Sequence, residues 1–237
     1  MKKLIVVVND LERSGKSTVA RTLSHHLKSE EVKHLLVTSN EMDMSDSFPG
    51  EFWDLEDQFD VSLLIAAVDR HDAVIVDVHT GAARNWGDLF ESEDLENLLA
   101  EIDAEMVLVI PNTRTERCNE EICDLTEIFS DQANYVIVHL PGEKRGEMKW
   151  KASPAEKAIR YLGASDIELP DLSDELRTAL ENAGLELPEA LNNPSSLPRF
   201  AEVQATQWLE RTSSCLAVGN EHLIPEPSVT VVLDRDN

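Results

Sequence analysis

The stretch Lys3-Leu-Ile-Val-Val-Val-Asn-Asp-Leu-Glu-Arg-Ser-Gly-Lys-Ser-Thr18 decides how the rest of the chain is read. An apolar, β-branched run stops at Asn9 and meets Ser14-Gly-Lys-Ser-Thr18, after which Val19, Ala20, Leu23 and Leu27 recur at helical spacing. A buried strand, a tight turn and a helix start, in that order, aim backbone N–H groups and the positive end of a helix at one point, where a phosphate is stabilised. On this reading Arg13, Ser14, Gly15, Lys16, Ser17 and Thr18 cradle the phosphates of ATP, with Lys16 on the terminal phosphates and the Ser17 hydroxyl on Mg²⁺. The plainer alternative is a helix start in which Ser14 caps and Lys16 is merely solvated.

The match to G-x-x-x-x-G-K-[S/T] has one gap. The first glycine falls on Asp10, which removes the residue that makes the opening turn easy. Asp10 and Glu12 also bring negative charge near the expected phosphates, a cost unless both carboxylates turn outward or Arg13 neutralises them.

A second stretch completes the site. Ala73-Val-Ile-Val-Asp77-Val-His-Thr-Gly81 is an unbroken β-branched run ending in an acid, the pattern of a central strand covered on both faces. Asp77 emerges at the carboxyl edge of the sheet, where it can hold Mg²⁺ directly or through water, and Gly81 falls where a sensor of the γ-phosphate would sit. The plainer reading of Asp77 is a strand-ending acid that caps the next helix.

Around these two stretches, strands expected at Lys33–Thr38, Ala104–Pro111 and Ala133–His139 alternate with helices, with a short final strand at Ile167–Pro170. The fold class that follows is α/β, a three-layer doubly wound, mostly parallel sheet with helices on both faces. Helical spacing covers Ser17–Leu27, Asp54–Asp69, Ala82–Ile102 as one or two helices, a segment ending about Phe129, Ser173–Asn182 and Arg199–Ser213. Ser39–Gly50 reads as a loop, and Val229–Leu233 as an added strand or docking segment. The organisation is one nucleotide-binding domain over 1–218 and a C-terminal tail over 219–237. The loop after the late strand, His139 to Gly142 with Pro141, is a candidate for the base pocket.

Composition narrows the partners. Lys and Arg number 21 against 46 Asp and Glu, a net charge of −25, which argues against broad electrostatic contact with DNA or an anionic membrane. A nucleic-acid role would run through a partner protein. The one basic run, Glu143–Lys151 with Trp150, reads as a solvated loop or as a contact for an acidic partner or a nucleic-acid backbone. Trp86 reads as core or as a partner surface. His25 and His26 are adjacent on a helix and point about 100° apart, so helix-end charge placement suits them better than metal binding. Cys118, Cys123 and Cys215 have no C-x-x-C spacing and fit a reducing compartment. Without a long apolar run or a signal-like start, membrane insertion is not expected and the cytoplasm is.

Together Val8-Asn9, Ser14-Gly-Lys-Ser-Thr18, Asp77-x-x-x-Gly81 and a late Leu-Pro before a terminal helix resemble the ParA/MinD branch of P-loop ATPases, in kind the short plasmid-stability proteins of the StbB type. The resemblance covers about the first two-thirds of the chain. It implies an ATP- and Mg²⁺-dependent homodimer that positions DNA or other cargo through a protein partner, such as a DNA-binding adaptor. Three features depart from it. The family's signature lysine falls on Leu11, its two loop glycines on Glu12 and Arg13, and the acids that end its second strand on Thr38 and Asn40. Nucleotide binding is therefore expected more firmly than hydrolysis, with Arg13 as a stand-in for the lysine. A small-molecule kinase, drawing on Arg84, Arg114 and Arg117, and a non-hydrolysing scaffold that binds a protein partner are the other readings.

Overall fold

The computed structural model describes residues 1–40, 48–55, 59–141 and 149–226. Its centre is a seven-stranded sheet: β1 (Lys2–Val7), β2 (His34–Thr38), β3 (Glu51–Phe52), β4 (Ala73–Asp77), β5 (Ala104–Asn112), β6 (Asn134–His139) and β7 (Ser165–Glu168). Their order is β3-β2-β4-β1-β5-β6-β7, and every recorded pairing is parallel. Parallel strands need crossovers and are covered on both faces, so their sequences are continuously apolar; β1 and β4 show this most clearly.

Helices α1 (Lys16–Ser29), α2 (Val61–Arg70), α3 (Ala83–Ser92), α4 (Leu95–Glu101) and α5 (Glu116–Phe129) follow in chain order, then α6 (Pro154–Tyr161), α7 (Asp174–Ala183), α8 (Leu187–Asn192), α9 (Arg199–Leu216) and α10 (Asn220–Leu223). Side chains that alternate along each strand build two cores. Leu4, Val6, Leu108 and Ile137 face α2 to α6, while Ile5, Val7, Val109 and Val138 face α1 and the end of α9. A third cluster, centred on Trp208, joins α7, α8 and α9.

Polar side chains fix several helix starts. Asp60, Thr115, Ser153 and Ser173 each accept a backbone N–H within their own helix's first turn. Asp60 also explains why the helix expected from Asp54 begins only at Val61: its carboxylate caps there, and Trp53 and Leu55 are buried in non-helical backbone upstream. The segment expected over 82–102 is two helices broken at Asp94, whose φ is +51°. Residues 219–223, at the head of the C-terminal segment, fold back onto the sheet. Leu223 is fully buried there, and a side chain at Gly219 would collide with Ile167 Cδ1 at 2.9 Å. Val229–Leu233 lies outside the described residues, as do Gly142 and most of the basic run.

Candidate phosphate-binding site

β1 delivers the chain to the carboxyl edge of the sheet between β4 and β5, the point where the strand order reverses. The loop from Asn9 to Gly15 is built there by its own polar groups. The Asn9 carboxamide accepts the Leu11 N–H at 2.8 Å and donates to the Pro111 carbonyl at 2.8 Å, which ties the loop to β5. Gly15 closes the turn with φ +83°, a left-handed conformation suited to glycine, and acts as the N-cap of α1. It supplies no side-chain cap, and no acid lies in the first turn of α1. The positive end of this helix is therefore open to an external anion in a way that the capped α2, α5, α6 and α7 are not.

Lys16 is 8% exposed, and its ammonium group lies within the loop, donating to the Asn9 carbonyl at 2.5 Å and to Thr80 Oγ1 at 3.0 Å. Opposite stands Asp77, 2% exposed, in register with Val7 of β1 and Thr38 of β2. Its carboxylate lies 4.0 Å from the Arg21 guanidinium, which rises from α1 and stacks on Phe48 with the charge 4.3 Å from the ring centre. At this distance the pair attracts across space without a hydrogen bond between the two atoms.

These groups share one cleft of about 530 Å³, lined by Arg13, Ser14, Gly15, Lys16, Ser17, Thr18 and Asp77 together with Asn40 and Thr80. The sequence reading thus comes together in space for seven residues. The two acids that threaten a phosphate are turned out of this lining. Glu12 is exposed, and the Asp10 carboxylate accepts N–H bonds from Gly81 at 2.9 Å and Ala83 at 3.0 Å. The backbone N–H of Asp10 meets Glu121 Oε1 at 3.1 Å. Burial, with Asp10 and Asp124 adding repulsion, holds the Glu121 carboxyl above the usual carboxylate range.

Other expected residues lie elsewhere. His139 sits on the face of the sheet opposite α1, its Nε2 against Asp166 Oδ1 at 2.5 Å and its ring edge-on to Trp150, and Pro141 is exposed outside the cleft. Strand alternation is the reason: it sends Tyr135, Ile137 and His139 to one face, while Val136, Val138 and Leu140 turn to the face of α1, with Leu140 against Gly15. Gly81 is held by Asp10 beside the cleft rather than lining it. Trp86 and Trp150 are buried in the core, so neither ring is a free surface. His26, in the last turn of α1, is buried and bonded to Ser213 at 2.8 Å and Asn220 at 2.7 Å, which ties that turn to α9 and α10. Of the arginines a kinase reading draws on, Arg84 and Arg117 are exposed and Arg114 pairs with Glu168 at 3.1 Å; none lines the cleft.

One wall went unforeseen. Leu172, Leu180, Glu186 and Leu187, from the segment around α7 and α8, close the cleft from the far side. Their apolar spacing marks a helix but carries no sign of which neighbour it meets. Among the described residues no helix is long and apolar enough to cross a membrane.

The donor set fits a magnesium nucleotide: a helix end without a side-chain cap, the Lys16 ammonium group, the Ser17 hydroxyl and the buried Asp77 carboxylate, with Asp10 and Glu12 outside the lining and Glu186 on the far wall. No protein-family model matches the chain, and no curated protein matches it. Among solved structures, it is similar to MinD in the MinC:MinD cell division complex of Aquifex aeolicus, with 14% identity over 91% of this chain and 96% of that one, TM-score 0.48. The signal recognition particle receptor FtsY of Elizabethkingia anophelis is 14% identical over 88% of this chain, which spans 66% of the receptor chain, TM-score 0.47. A McdA variant of Cyanothece in complex with ATP is 13% identical over 91% of this chain and 96% of that one, TM-score 0.44. Values this low carry no function from those proteins to this chain.

Proposed function

We propose that the protein is an ATP-binding switch of the ParA/MinD kind, a weak ATPase at most, that works in the cytoplasm in positioning a plasmid or other cargo. The observation that carries this reading is the left-handed Gly15 at the bare start of α1, which sets Lys16 and Ser17 across one cleft from the buried Asp77. Lys16, with the first-turn N–H groups of α1, would hold the phosphates. Ser17 and Asp77 would hold Mg²⁺, and Gly81 would report on the terminal phosphate from the turn that follows β4. The bound nucleotide supplies a terminal phosphate whose presence or absence distinguishes two states.

Arg13 lines the cleft with φ +54° and is the cation nearest in sequence to the position of Leu11, so it takes the part of the missing lysine. Two copies of the chain would close over the nucleotide. The acidic surface leaves DNA contact to a partner protein, in the manner of a DNA-binding adaptor.

Calorimetry and sedimentation with Mg²⁺ and either ATP or ADP test the proposal. The wild-type chain should bind ATP and form a dimer with it, and Lys16→Ala should lose both. Arg13→Ala should weaken dimer formation more than binding. Absence of binding by the wild-type chain at millimolar nucleotide, or a permanent monomer that binds ATP tightly, defeats the switch.

A further inference from the structure

Asp10 stands where a phosphate-binding loop ordinarily has glycine, and its side chain has a defined task. Oδ1 receives two backbone N–H groups, from Gly81 at 2.9 Å and from Ala83 at 3.0 Å. Gly81 lies in the turn between Asp77 and α3, and Ala83 is the first residue of α3. Gly81 holds φ +94°, and a Cβ there would meet nothing within 4 Å, so backbone conformation rather than space calls for glycine. With that conformation the two amides converge on one acceptor, an arrangement suited to an anion.

The helix they introduce has no cap of its own. Ala82 offers no side chain to α3, and the first turn of α3 contains no acid. The same turn is gripped from its other side, where Thr80 Oγ1 accepts from Lys16 at 3.0 Å. A carboxylate and an ammonium group, both from the phosphate loop, thus hold Thr80, Gly81 and Ala83.

We infer that Asp10 is an internal substitute for a terminal phosphate, a positioning residue that holds the 79–83 turn in place before any nucleotide arrives. This rests on the nucleotide reading given above and deepens it. A γ-phosphate bound to Lys16 would find the Gly81 amide already bonded to a carboxylate, and would have to displace a like charge to claim it. The turn is therefore ordered in the nucleotide-free chain, and the terminal phosphate adds less to the preference for ATP over ADP than it would if the Gly81 amide were free. Replacing the carboxylate frees the amides, so that order in the turn comes to depend on the terminal phosphate.

Two measurements on the full-length chain test this. In nucleotide-free protein, amide hydrogen exchange at Gly81 and Ala83 should quicken about tenfold or more in Asp10→Ala, the scale of a lost charge-assisted hydrogen bond. It should stay near the wild-type rate in Asp10→Asn, whose amide oxygen still accepts. By calorimetry with Mg²⁺, the preference for ATP over ADP should rise about tenfold in both variants. Asp10→Asn keeps the geometry and removes only the charge, so it answers the question even where Asp10→Ala folds poorly. Unchanged exchange in Asp10→Ala overturns the inference, as does an unchanged ATP-to-ADP ratio in either variant, since the contact is then only a helix cap. Failure of every variant and of the wild type to bind nucleotide overturns the proposed function itself, whatever the exchange rates show.

Discussion

Glu121 shows how a single side chain registers the crowding of acids around the loop. Its ordinary pKa of 4.5 is raised first by burial and then by repulsion from Asp10 and Asp124, against the pull of the Asp10 N–H bond and Lys16. The native state therefore keeps this proton to higher pH than the unfolded chain does. Its contribution to stability is full below the ordinary value and is lost as pH rises through the raised one. Glu121→Gln keeps an oxygen for the Asp10 N–H and removes the charge. Its thermal midpoint should match the wild type near pH 4 and exceed it near pH 7; a variant less stable than wild type at neutral pH would contradict the sign. Gly15 is the second residue whose local physics is decisive. Gly15→Ala forces an alanine into φ +83° and sets its methyl 2.5 Å from Leu140 Cδ1, the far end of a side chain that can swing away. Backbone strain is what remains, about 1–2 kcal/mol, read as a lowered urea midpoint. Nucleotide affinity should fall with it.

Among the elements, α9 (Arg199–Leu216) belongs to two clusters at once. It packs Leu216 against the sheet core while Trp208 joins it to α7 and α8, and the Trp208 indole N–H donates to the Pro170 carbonyl at 2.9 Å. Trp208→Ala removes the largest side chain of that cluster and orphans the carbonyl. It should cost about 3 kcal/mol or more by denaturant unfolding. Because Leu180 and Leu187 of the same cluster wall the cleft, binding of magnesium nucleotide should weaken as well; unaltered binding would mean that the wall stands without Trp208. Elements with long, regular patterns were legible in the sequence. Whereas the face expected on α9 (Val203, Gln207, Trp208, Arg211) is exposed except at Trp208, β1 and β4 declare themselves through β-branched runs and α1 through apolar spacing. β3 did not, because two exposed residues, Glu51 and Phe52, pair with β2 through backbone alone and leave no side-chain signature. β7 runs over Ser165–Glu168 rather than Ile167–Pro170, since pairing with β6 ends at Glu168 before Pro170, which has no N–H to give. At the site, contiguous motifs were readable, and long-range contacts were not. Nothing in the sequence indicates that Asp10 reaches residue 83 or that His139 turns to the far face of the sheet.

The whole molecule carries a net charge of −25, and the fold does little to neutralise it. The surface ion pairs include Lys2 with Asp69 and Arg177 with Asp171, contacts that are worth little each in water. Elsewhere the acids repel one another, and folding brings them closer together than the expanded chain does. Raising ionic strength from about 0.01 M to about 0.15 M shortens the screening length from about 30 Å to about 8 Å. That range suppresses repulsion across the molecule while it weakens the exposed pairs only slightly. The two effects oppose, and with 46 acids against 21 bases the repulsion dominates. The thermal midpoint should therefore rise with sodium chloride over this interval, measured at a pH near 7 where the carboxylates are ionised. Lys3 and Glu105 should not blunt the rise, because Lys3 is 1% exposed and lies beyond the reach of added ions. A midpoint that falls with salt would mean that specific ion pairs, not the net charge, govern the stability of this chain.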